Sequence, residues 1–417
     1  MLQTGLFRSK WWMVAAALVA LTLNTGVVQS FSFAVFIVPI SQDLGISRAE
    51  LLSAPLVGTV FLLLLTMPSF GKALDRYGTR VVHMLMIIGF AISTMCLAFL
   101  QTPYWFMVLL FSFQHLFGPS QSPIAYTKAI AAWFDKDRGL ALGIAIAGVG
   151  LGVAIVPPFD NYLIVHYGWR AAFVGMGAAI LVFALIPVFL FEREPPIPPE
   201  RERPKNDESV PGYFWSEAVL KDWRFAAMTV AFFLAPIAIN GTITQVVAML
   251  TDRGVPLSVA VGALSASGIA LTVGRIVSGY MLDKIHGPYV AAIFFGASGL
   301  GIALLAANSL PFVGVILCGL GIGGEVDLMA FMVSRYFGLR CFGAIYATMF
   351  TLFSLGVGLG PFLLGLSHDK FGSYVPMMMV NLGFIVVMCG LLLVLGPYRF
   401  GKRETPPAVA MADAPAE

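Results

Sequence analysis

Twelve long apolar segments predict an all-α polytopic membrane protein, in which two pseudo-symmetric bundles each contain six transmembrane helices. Of the 417 residues, 59% are hydrophobic and only 11% are charged, and the mean hydropathy is +0.87. A soluble domain carries roughly 25% charged residues. A helix that crosses the ~30 Å hydrocarbon core of a bilayer needs about 20 apolar residues. A polar linker near the middle of the chain and a repeated loop motif divide these segments into two halves.

The twelve predicted segments fall into two sets of six. The first set comprises residues 12–38, 51–72, 81–101, 104–132, 139–164 and 170–191. The second set comprises residues 225–250, 257–282, 288–309, 311–334, 341–367 and 374–397. No small-residue cleavage site follows the first segment, which is also longer than the core of a signal peptide, so we expect it to remain as a helix.

A charged, proline-rich stretch separates the two sets. It begins EREPPIPPERERPKNDES at Glu192 and cannot cross a bilayer. Its proline content favours a partly extended chain, and the end of the protein has the composition of a disordered segment. The predicted organisation is an N-terminal bundle (1–192), a cytoplasmic linker (193–224), a C-terminal bundle (225–400) and a cytoplasmic tail (401–417).

The Lys and Arg residues lie mainly on one side of the predicted membrane. Of the 25 such residues, 19 fall on the side of the two termini, 4 fall on the opposite side, and Lys128 and Arg275 lie inside apolar segments. Because cytoplasmic loops are enriched in Lys and Arg, we predict both termini in the cytoplasm and a place in the plasma (inner) membrane. The net charge of +3 gives no indication of a nucleic-acid partner.

The sequence contains no motif that indicates an enzyme, a cofactor or a metal site. The four cysteines (Cys96, Cys318, Cys341 and Cys389) lack metal-ligand spacing and are expected as small buried side chains. There is no phosphate-binding loop and no nucleophile with a partner base. We therefore expect neither catalysis nor an ATP-driven pump, and any transport would draw on a solute gradient.

A loop motif recurs at the same place in both halves. Residues 71–78 (GKALDRYG) follow the second segment, and residues 279–287 (GYMLDKIHG) follow the eighth, with an offset of 208 positions. Parallel repeats of this kind place a substrate site at the repeat interface near the middle of the membrane. Each half also has three closely spaced glycines, which allow close helix packing: Gly148, Gly150 and Gly152, and Gly356, Gly358 and Gly360.

These motifs carry a family resemblance over about residues 1–400. The loop from Gly71 to Arg80 resembles the cytoplasmic signature loop of the major facilitator superfamily, and residues 133–150 resemble the helix 4–5 signature of its monocarboxylate porter branch. The resemblance implies the major facilitator fold and places Arg275 where that branch carries a substrate-anchoring arginine. Animal members have an aspartate one turn earlier, where this chain has Leu271. The signature residues expected to act in gating are Asp75, Arg76, Gly78, Arg80, Arg138, Asp283 and Lys284.

Arg275 and two nearby acids are the most informative charges. Arg275 lies in the middle of the eighth segment, where a charge costs ~2.5–3.5 kcal/mol and usually faces a bundle interior or a wet cavity. Its planar fork can bind one carboxylate through two hydrogen bonds. Glu325 and Asp327, in the tenth segment, point to different sides of a helix. Either could carry a coupling proton or pair with Arg275, and Asp160 is a third candidate for proton coupling.

Other polar or aromatic residues within apolar segments are candidates for orienting a bound ligand. Such side chains also form hydrogen bonds between helices, so both roles are open. The candidate substrate-binding residues besides Arg275 are Asn24, Gln29, His115, Tyr126, Asn240, Gln245 and Phe350.

The sequence thus predicts a secondary transporter of a small organic monocarboxylate of the lactate or pyruvate type. We expect symport with a proton by alternating access of the two bundles, in a functional monomer. The alternative is a carboxylate exchanger of the oxalate–formate type, which pairs the arginine with a lysine in helix 11. Residues 341–366 contain no Lys or Arg, which favours a monoanion. A non-transporting receptor and an exporter of bulky apolar compounds are further alternatives.

Overall fold

The computed structural model describes residues 10–61, 79–122, 126, 130, 134, 138–192, 212–338 and 340–400. The helices of the first half are α1 (Trp11–Leu21), α2 (Phe33–Leu44), α3 (Arg48–Phe61), α4 (Thr79–Cys96), α5 (Tyr104–Phe117), α6 (Arg138–Ile180) and α7 (Ile186–Phe191). Those of the second half are α8 (Trp215–Lys221), α9 (Trp223–Thr244), α10 (Val246–Asp252), α11 (Leu257–Leu282), α12 (Gly287–Ala306), α13 (Pro311–Phe337), α14 (Phe342–Phe371) and α15 (Val375–Leu393).

Helical residues lie in each of the twelve predicted segments. Within the described ranges, nine helical stretches are long and apolar enough to cross a bilayer. The stretch 141–191 has 51 residues, about 75 Å at 1.5 Å per residue and more than two bilayer cores. Gly168, with φ 83°, breaks it between the fifth and sixth predicted segments. That backbone conformation favours glycine, and it lets the chain reverse there.

The sequence predicted one continuous helix for the first segment, but the structure divides this segment into two parts. α1 ends at Leu21, and helix resumes after Asn24 as a π-helical turn (Val27–Ser32) that leads into α2. The side chain of Asn24 joins the two parts: its amide nitrogen donates to the Leu21 carbonyl at 3.0 Å, and its oxygen accepts from the Val27 N–H at 3.0 Å. Asparagine is a preferred residue at a helix start because it satisfies one such free N–H group.

The predicted linker also contains ordered structure in its second part. Tyr213 donates its backbone N–H to the Phe337 carbonyl at 2.9 Å, and Trp215 donates its indole N–H to Thr348 at 3.1 Å. Residues 212–221 therefore lie against the second bundle. Residues 193–211 and 401–417 lie outside the described part of the chain.

The two glycine triplets make equivalent contacts, which shows the internal symmetry at atomic level. A Cβ at Gly148 or Gly152 in α6 would overlap the Leu18 or Thr22 carbonyl oxygen at the first span. A Cβ at Gly356 or Gly360 in α14 would come within 2.6 Å of the Phe233 or Ile237 carbonyl oxygen of α9. The middle glycine of each triplet faces the other bundle: Gly150 meets Thr272 of α11, and Gly358 meets Leu56 of α3. The structure is therefore two pseudo-symmetric bundles joined along these helices.

Candidate functional site

A cavity of about 380 Å³ lies between the two bundles. Side chains from the first span, α3, α5, α6, α11, α13 and α14 line it, so both halves contribute. Six of the predicted substrate-binding and coupling residues line this cavity: Asn24, Gln29, His115, Arg275, Asp327 and Phe350. The cavity is therefore the candidate site, at the repeat interface where the sequence placed it.

An ion pair between Arg275 and Asp327 forms the charged centre of the cavity. Arg275 Nε lies 3.0 Å from Asp327 Oδ2, and the side chains are 25% and 42% exposed. Arg275 Nε is not aligned to donate a hydrogen bond, so charge alone holds the pair, and no hydrogen bond joins the guanidinium group to another described residue. The terminal guanidinium N–H groups thus remain available for an anion that enters the cavity.

The glycines of α13 explain why this pair forms. A Cβ at Gly319 would lie 2.5 Å from the Ser267 carbonyl oxygen, and one at Gly323 would overlap the Leu271 carbonyl oxygen and lie 2.8 Å from the Arg275 amide nitrogen. α13 therefore packs backbone against backbone on α11. Asp327 lies one helical turn after Gly323 and so reaches Arg275. The partner that the monocarboxylate resemblance would place at position 271 is supplied here by a neighbouring helix.

Glu325 lies on a different side of α13 and does not line the cavity. Its side chain is 1% exposed, and Asn240 of α9 donates its amide N–H to Oε2 at 3.0 Å. The other oxygen, Oε1, has no hydrogen-bond partner within the described residues. Asp160 of α6 has a similar environment in the first bundle, because Ser32 donates to its Oδ2 while its buried Oδ1 has no described partner.

Three predicted substrate-binding residues lie away from the cavity and bond to the protein instead. Asn240 binds Glu325, and Gln245 donates to the Pro361 carbonyl at 3.1 Å, which joins α9 to α14. Tyr126 donates to Gln121 Oε1 at 3.2 Å, and its ring packs edge-on against His83, with the ring centres 4.7 Å apart. In this conformation these contacts hold helices together.

Most hydroxyl and amide groups on the cavity wall are also occupied by backbone atoms. Asn24 caps the broken helix, and Thr25 donates to the Gly118 carbonyl at 2.5 Å. His115 Nδ1 lies 2.8 Å from the Phe111 carbonyl, so Nδ1 carries the hydrogen. Gln29 differs, because its Nε2 has no partner within the described residues.

Sequence reasoning missed an aromatic wall on α14. Tyr346, Phe350 and Phe353 line the cavity together, although only Phe350 was predicted. Adjacent rings are stacked, with centres 5.8 Å and 5.6 Å apart. Their spacing of four and three residues places them on one helix face, a signal that was present in the sequence.

The signature residues are only partly described. Asp75, Arg76 and Gly78 lie outside the described residues, as does Lys128. α6 begins at Arg138, whose side chain lies outside the described part of the structure. The described members are Arg80, which donates to the Phe189 carbonyl at 2.5 Å, Lys284, whose ammonium group lies 4.3 Å from the Tyr280 ring centre, and exposed Asp283.

The two bundles are closed against each other at the end remote from Lys10, which we call the distal end. Arg48 at the start of α3 binds Asp252 at the end of α10, and it also contacts Tyr374. Ala49 donates its backbone N–H to Asp369 Oδ2 at 2.7 Å. These hydrogen bonds and the ion pair join the two bundles at this end. The cavity is thus sealed on its distal side.

Comparison with known proteins agrees with this architecture. A model of the family described as Major Facilitator Superfamily matches residues 13–361. The chain belongs to the major facilitator superfamily. Its apolar helices, like the family match, are those of a multi-pass membrane protein.

Several curated members of the superfamily are similar to this chain. The synaptic vesicular amine transporter of Mus musculus is 28% identical over an alignment of 361 positions, which covers 82% of this chain and 64% of that protein. The gallate transporter of Pseudomonas putida is 26% identical, with 78% and 82% covered. Monocarboxylate transporter 13 of Bos taurus is 27% identical, with 65% and 64% covered. This chain spans less than two thirds of the vesicular amine transporters' length. The names of these relatives refer to different substrates.

A solved structure of the superfamily fold covers nearly the whole chain. The bacterial homologue of the human lysosomal transporter Spinster, in an inward-facing and unoccupied conformation, has a TM-score of 0.67 and 18% identity, with 94% of this chain and 95% of that chain covered. At this identity the likeness supports the fold alone.

Proposed function

We propose that the protein transports an organic monocarboxylate together with a proton. The observation that carries this proposal is the Arg275–Asp327 pair in the central cavity, with unpartnered guanidinium N–H groups. A carboxylate accepts two parallel hydrogen bonds from a guanidinium group, which gives both affinity and orientation. The similarity to a monocarboxylate transporter and to a gallate transporter is consistent with an anionic substrate.

Proton coupling follows from competition for Arg275. When a carboxylate binds the arginine, Asp327 loses its counter-ion and becomes an unpaired charge in a largely apolar cavity. Such a charge is costly, and uptake of one proton by its carboxyl group removes the cost. The loaded site then contains Arg275, the substrate anion and a neutral Asp327, and its net charge is zero. The empty site, Arg275 with ionised Asp327, is also neutral, so both forms can cross the membrane centre.

The structure favours Asp327 over Glu325 and Asp160 as the proton carrier. Asp327 lines the cavity and touches Arg275, so both substrate and proton can reach it. Glu325 and Asp160 are buried and do not line the cavity. We therefore assign these two acids a structural role in the observed state.

The closed distal end is consistent with alternating access by movement of the two bundles. With both termini in the cytoplasm of the plasma (inner) membrane, as the Lys and Arg distribution predicts, the sealed end faces outward and the structure is inward-facing. Opening would break the Arg48–Asp252 contact and separate α3 from α14.

Two alternatives to monocarboxylate symport remain: dicarboxylate exchange and amine transport. A dicarboxylate exchanger needs a second cation, but the basic residues of α14 lie in its last turn, His368 and Lys370, at the distal end. An amine could bind Asp327, which is exposed in the cavity, and the vesicular amine transporters are similar to this chain. Asp327 is already neutralised by Arg275, however, so a cation would have to displace a guanidinium group.

Uptake into proteoliposomes tests the proposal. We expect an inward proton gradient to drive accumulation of labelled lactate or benzoate, and a protonophore to abolish it. Oxalate uptake that needs internal oxalate and ignores the proton gradient would support the exchanger instead. Accumulation of phenethylamine by an outward-directed proton flux, with no carboxylate transport, would refute the carboxylate proposal.

A further inference from the structure

The aromatic wall of α14, formed by Tyr346, Phe350 and Phe353, covers one side of the cavity beside the ion pair. The Tyr346–Phe350 and Phe350–Phe353 planes are inclined by 23° and 22°, so the rings form a stacked series along the helix. Tyr346 lines the same cavity as Arg275 and Asp327. The aromatic wall therefore shares the cavity with the anion-binding group.

Few polar atoms on the rest of the wall are free to hydrogen-bond a small, hydroxylated acid. Thr59 donates to the Pro55 carbonyl at 3.0 Å, Ser354 to the Phe350 carbonyl at 2.8 Å, and Thr244 to the Asn240 carbonyl at 2.9 Å. These hydroxyl hydrogens are used within their own helices. Besides the ion pair, the groups on the wall without a hydrogen-bond partner among the described residues include the Gln29 amide nitrogen and the Ser30 and Tyr346 hydroxyls.

The size of the cavity also exceeds what a three-carbon acid requires. Its volume of about 380 Å³ falls within the ~300–1,000 Å³ range of pockets that enclose drug-sized ligands. A lactate ion has six non-hydrogen atoms, and it would leave most of the aromatic wall facing water. Hydrated apolar surface costs free energy, so a larger flat ligand would gain more from this cavity.

We propose that the substrate is an aromatic carboxylate, whose carboxylate binds Arg275 while its ring packs against the aromatic wall at Tyr346 and Phe350. The inference rests on the proposed carboxylate transport and refines its substrate class. Aromatic rings attract one another in offset-stacked or edge-to-face arrangements, beyond the gain from burial alone. The rings of α14 stack on one another and line the cavity together, so a ligand ring can pack against the whole series.

Isothermal titration calorimetry with the purified protein separates the contribution of the ligand's ring to binding from that of its charge. Benzoate and cyclohexanecarboxylate have the same number of carbon atoms and the same charge, but only benzoate is flat and aromatic. We expect benzoate to bind at least about ten-fold more tightly than lactate, and several-fold more tightly than cyclohexanecarboxylate.

Variants of Phe350 test the position of the ring. Phe350→Leu keeps an apolar side chain and should weaken benzoate about two- to ten-fold, with little change for cyclohexanecarboxylate. Phe350→Tyr keeps the aromatic ring and should weaken benzoate less than Phe350→Leu does. Phe183→Leu is the matched control, because Phe183 is 53% exposed on the outer surface and lines no part of the cavity.

The outcomes distinguish the two levels of the proposal. If lactate binds as tightly as benzoate and Phe350→Leu changes neither, the aromatic substrate class is wrong while carboxylate transport stands. If the wild-type protein binds none of the three acids, carboxylate transport fails as well. Equal losses for benzoate and cyclohexanecarboxylate in Phe350→Leu would show that the wall recognises bulk and not aromaticity, which also overturns the inference.

Discussion

Arg48 binds both carboxylate oxygens of Asp252 across the two bundles, with nitrogen–oxygen distances of 2.5 and 2.8 Å. Such a two-pronged pair is specific in geometry as well as in charge. His368 lies 3.4 Å from the same carboxylate, and Tyr374 donates to it at 3.3 Å. The contact joins elements that must separate when the distal end opens, so it stabilises the closed state.

Asp252→Asn should shift the protein toward the distally open state. Loss of one partly exposed ion pair is worth about 1 kcal/mol, or about five-fold in the ratio of the two states. Double electron–electron resonance between labels on α3 and α14 measures that ratio. Asp43→Asn is a suitable control, because Asp43 pairs with Arg170 within one bundle. An unchanged distance distribution in Asp252→Asn would show that the ion pair does not keep the distal end closed.

The Arg48–Asp252 contact should keep the distal end closed over the physiological pH range. Burial alone would raise the pKa of Asp252, but the hydrogen bonds and charge of Arg48 outweigh it and hold the pKa below its ordinary value of 3.8. The ion pair therefore stabilises the closed state above about pH 4, and this contribution is lost as pH falls through the lowered pKa. Any change in the open fraction between pH 5 and 8 that persists in Asp252→Asn must arise from other groups.

Arg275→Lys should weaken carboxylate binding about ten-fold, and Arg275→Gln about a hundred-fold. Lysine keeps the charge but lacks the planar fork, whereas glutamine loses both the charge and the charge-assisted bonds. Titration of benzoate into the purified variants measures the effect. Arg253→Gln serves as the control, because Arg253 lies at the distal end and binds the Leu305 carbonyl. Wild-type affinity in Arg275→Gln would remove the basis of the proposed site.

Asp327→Asn should abolish accumulation driven by a proton gradient and spare exchange of substrate for substrate. The asparagine cannot take up the proton, and it no longer competes for Arg275, so carboxylate affinity should be equal to or higher than wild type. Glu325→Gln is the matched variant, since Asn240 can still donate to its amide oxygen. Coupled accumulation at the wild-type level in Asp327→Asn would assign the proton to another group.

Gly152→Ala should destabilise the protein, whereas Gly143→Ala should not. A Cβ at Gly152 overlaps the Thr22 carbonyl, while nothing lies within 4 Å of a Cβ at Gly143. Overpacking of this kind costs about 1–3 kcal/mol, and alanine in an unstrained helix position is favoured over glycine. The melting temperatures in detergent should therefore move in opposite directions. A common response to both substitutions would contradict the proposed close contact between α6 and the first span.

Cysteine labelling tests the predicted orientation. Cysteines introduced at Lys205 and Ala410 should resist a membrane-impermeant maleimide in intact cells. Ser309→Cys, in the exposed turn between α12 and α13, should react readily. The reverse pattern would invert the topology and make the observed state outward-facing.

The positions of the membrane spans were predictable because hydrophobicity over 20 residues is a local property. The break at Asn24 was not predicted, since a single amide in an apolar run has many possible roles. Its neighbourhood, Thr22-Leu23-Asn24-Thr25-Gly26, did contain a helix-start signal. In contrast, the long helix across Gly168 shows that a glycine between two apolar segments can turn the chain without a separate loop.

The candidate site was predictable in its charges but not in its contacts. A cation in the middle of an apolar segment marks Arg275 in any reading of the sequence. The choice of Asp327 over Glu325 depends on how closely α13 packs on α11, which the glycine contacts determine. Likewise, Tyr126, Asn240 and Gln245 are polar residues in apolar segments like Asn24, and only the three-dimensional packing separates those that line the cavity from those that bond to other helices.

The broken first span has a consequence for biogenesis. α1 has 11 residues, about 16 Å of helix, which is too short to cross a bilayer by itself. We therefore expect the irregular middle of the first span to be unprotected in the membrane until α6 packs against it beside the Thr22 carbonyl. Replacement of Asn24 by leucine would make that first insertion step easier. We expect higher yields of a variant that has lost one polar group of the cavity wall, so abundance alone would be a misleading guide when variants are selected for study.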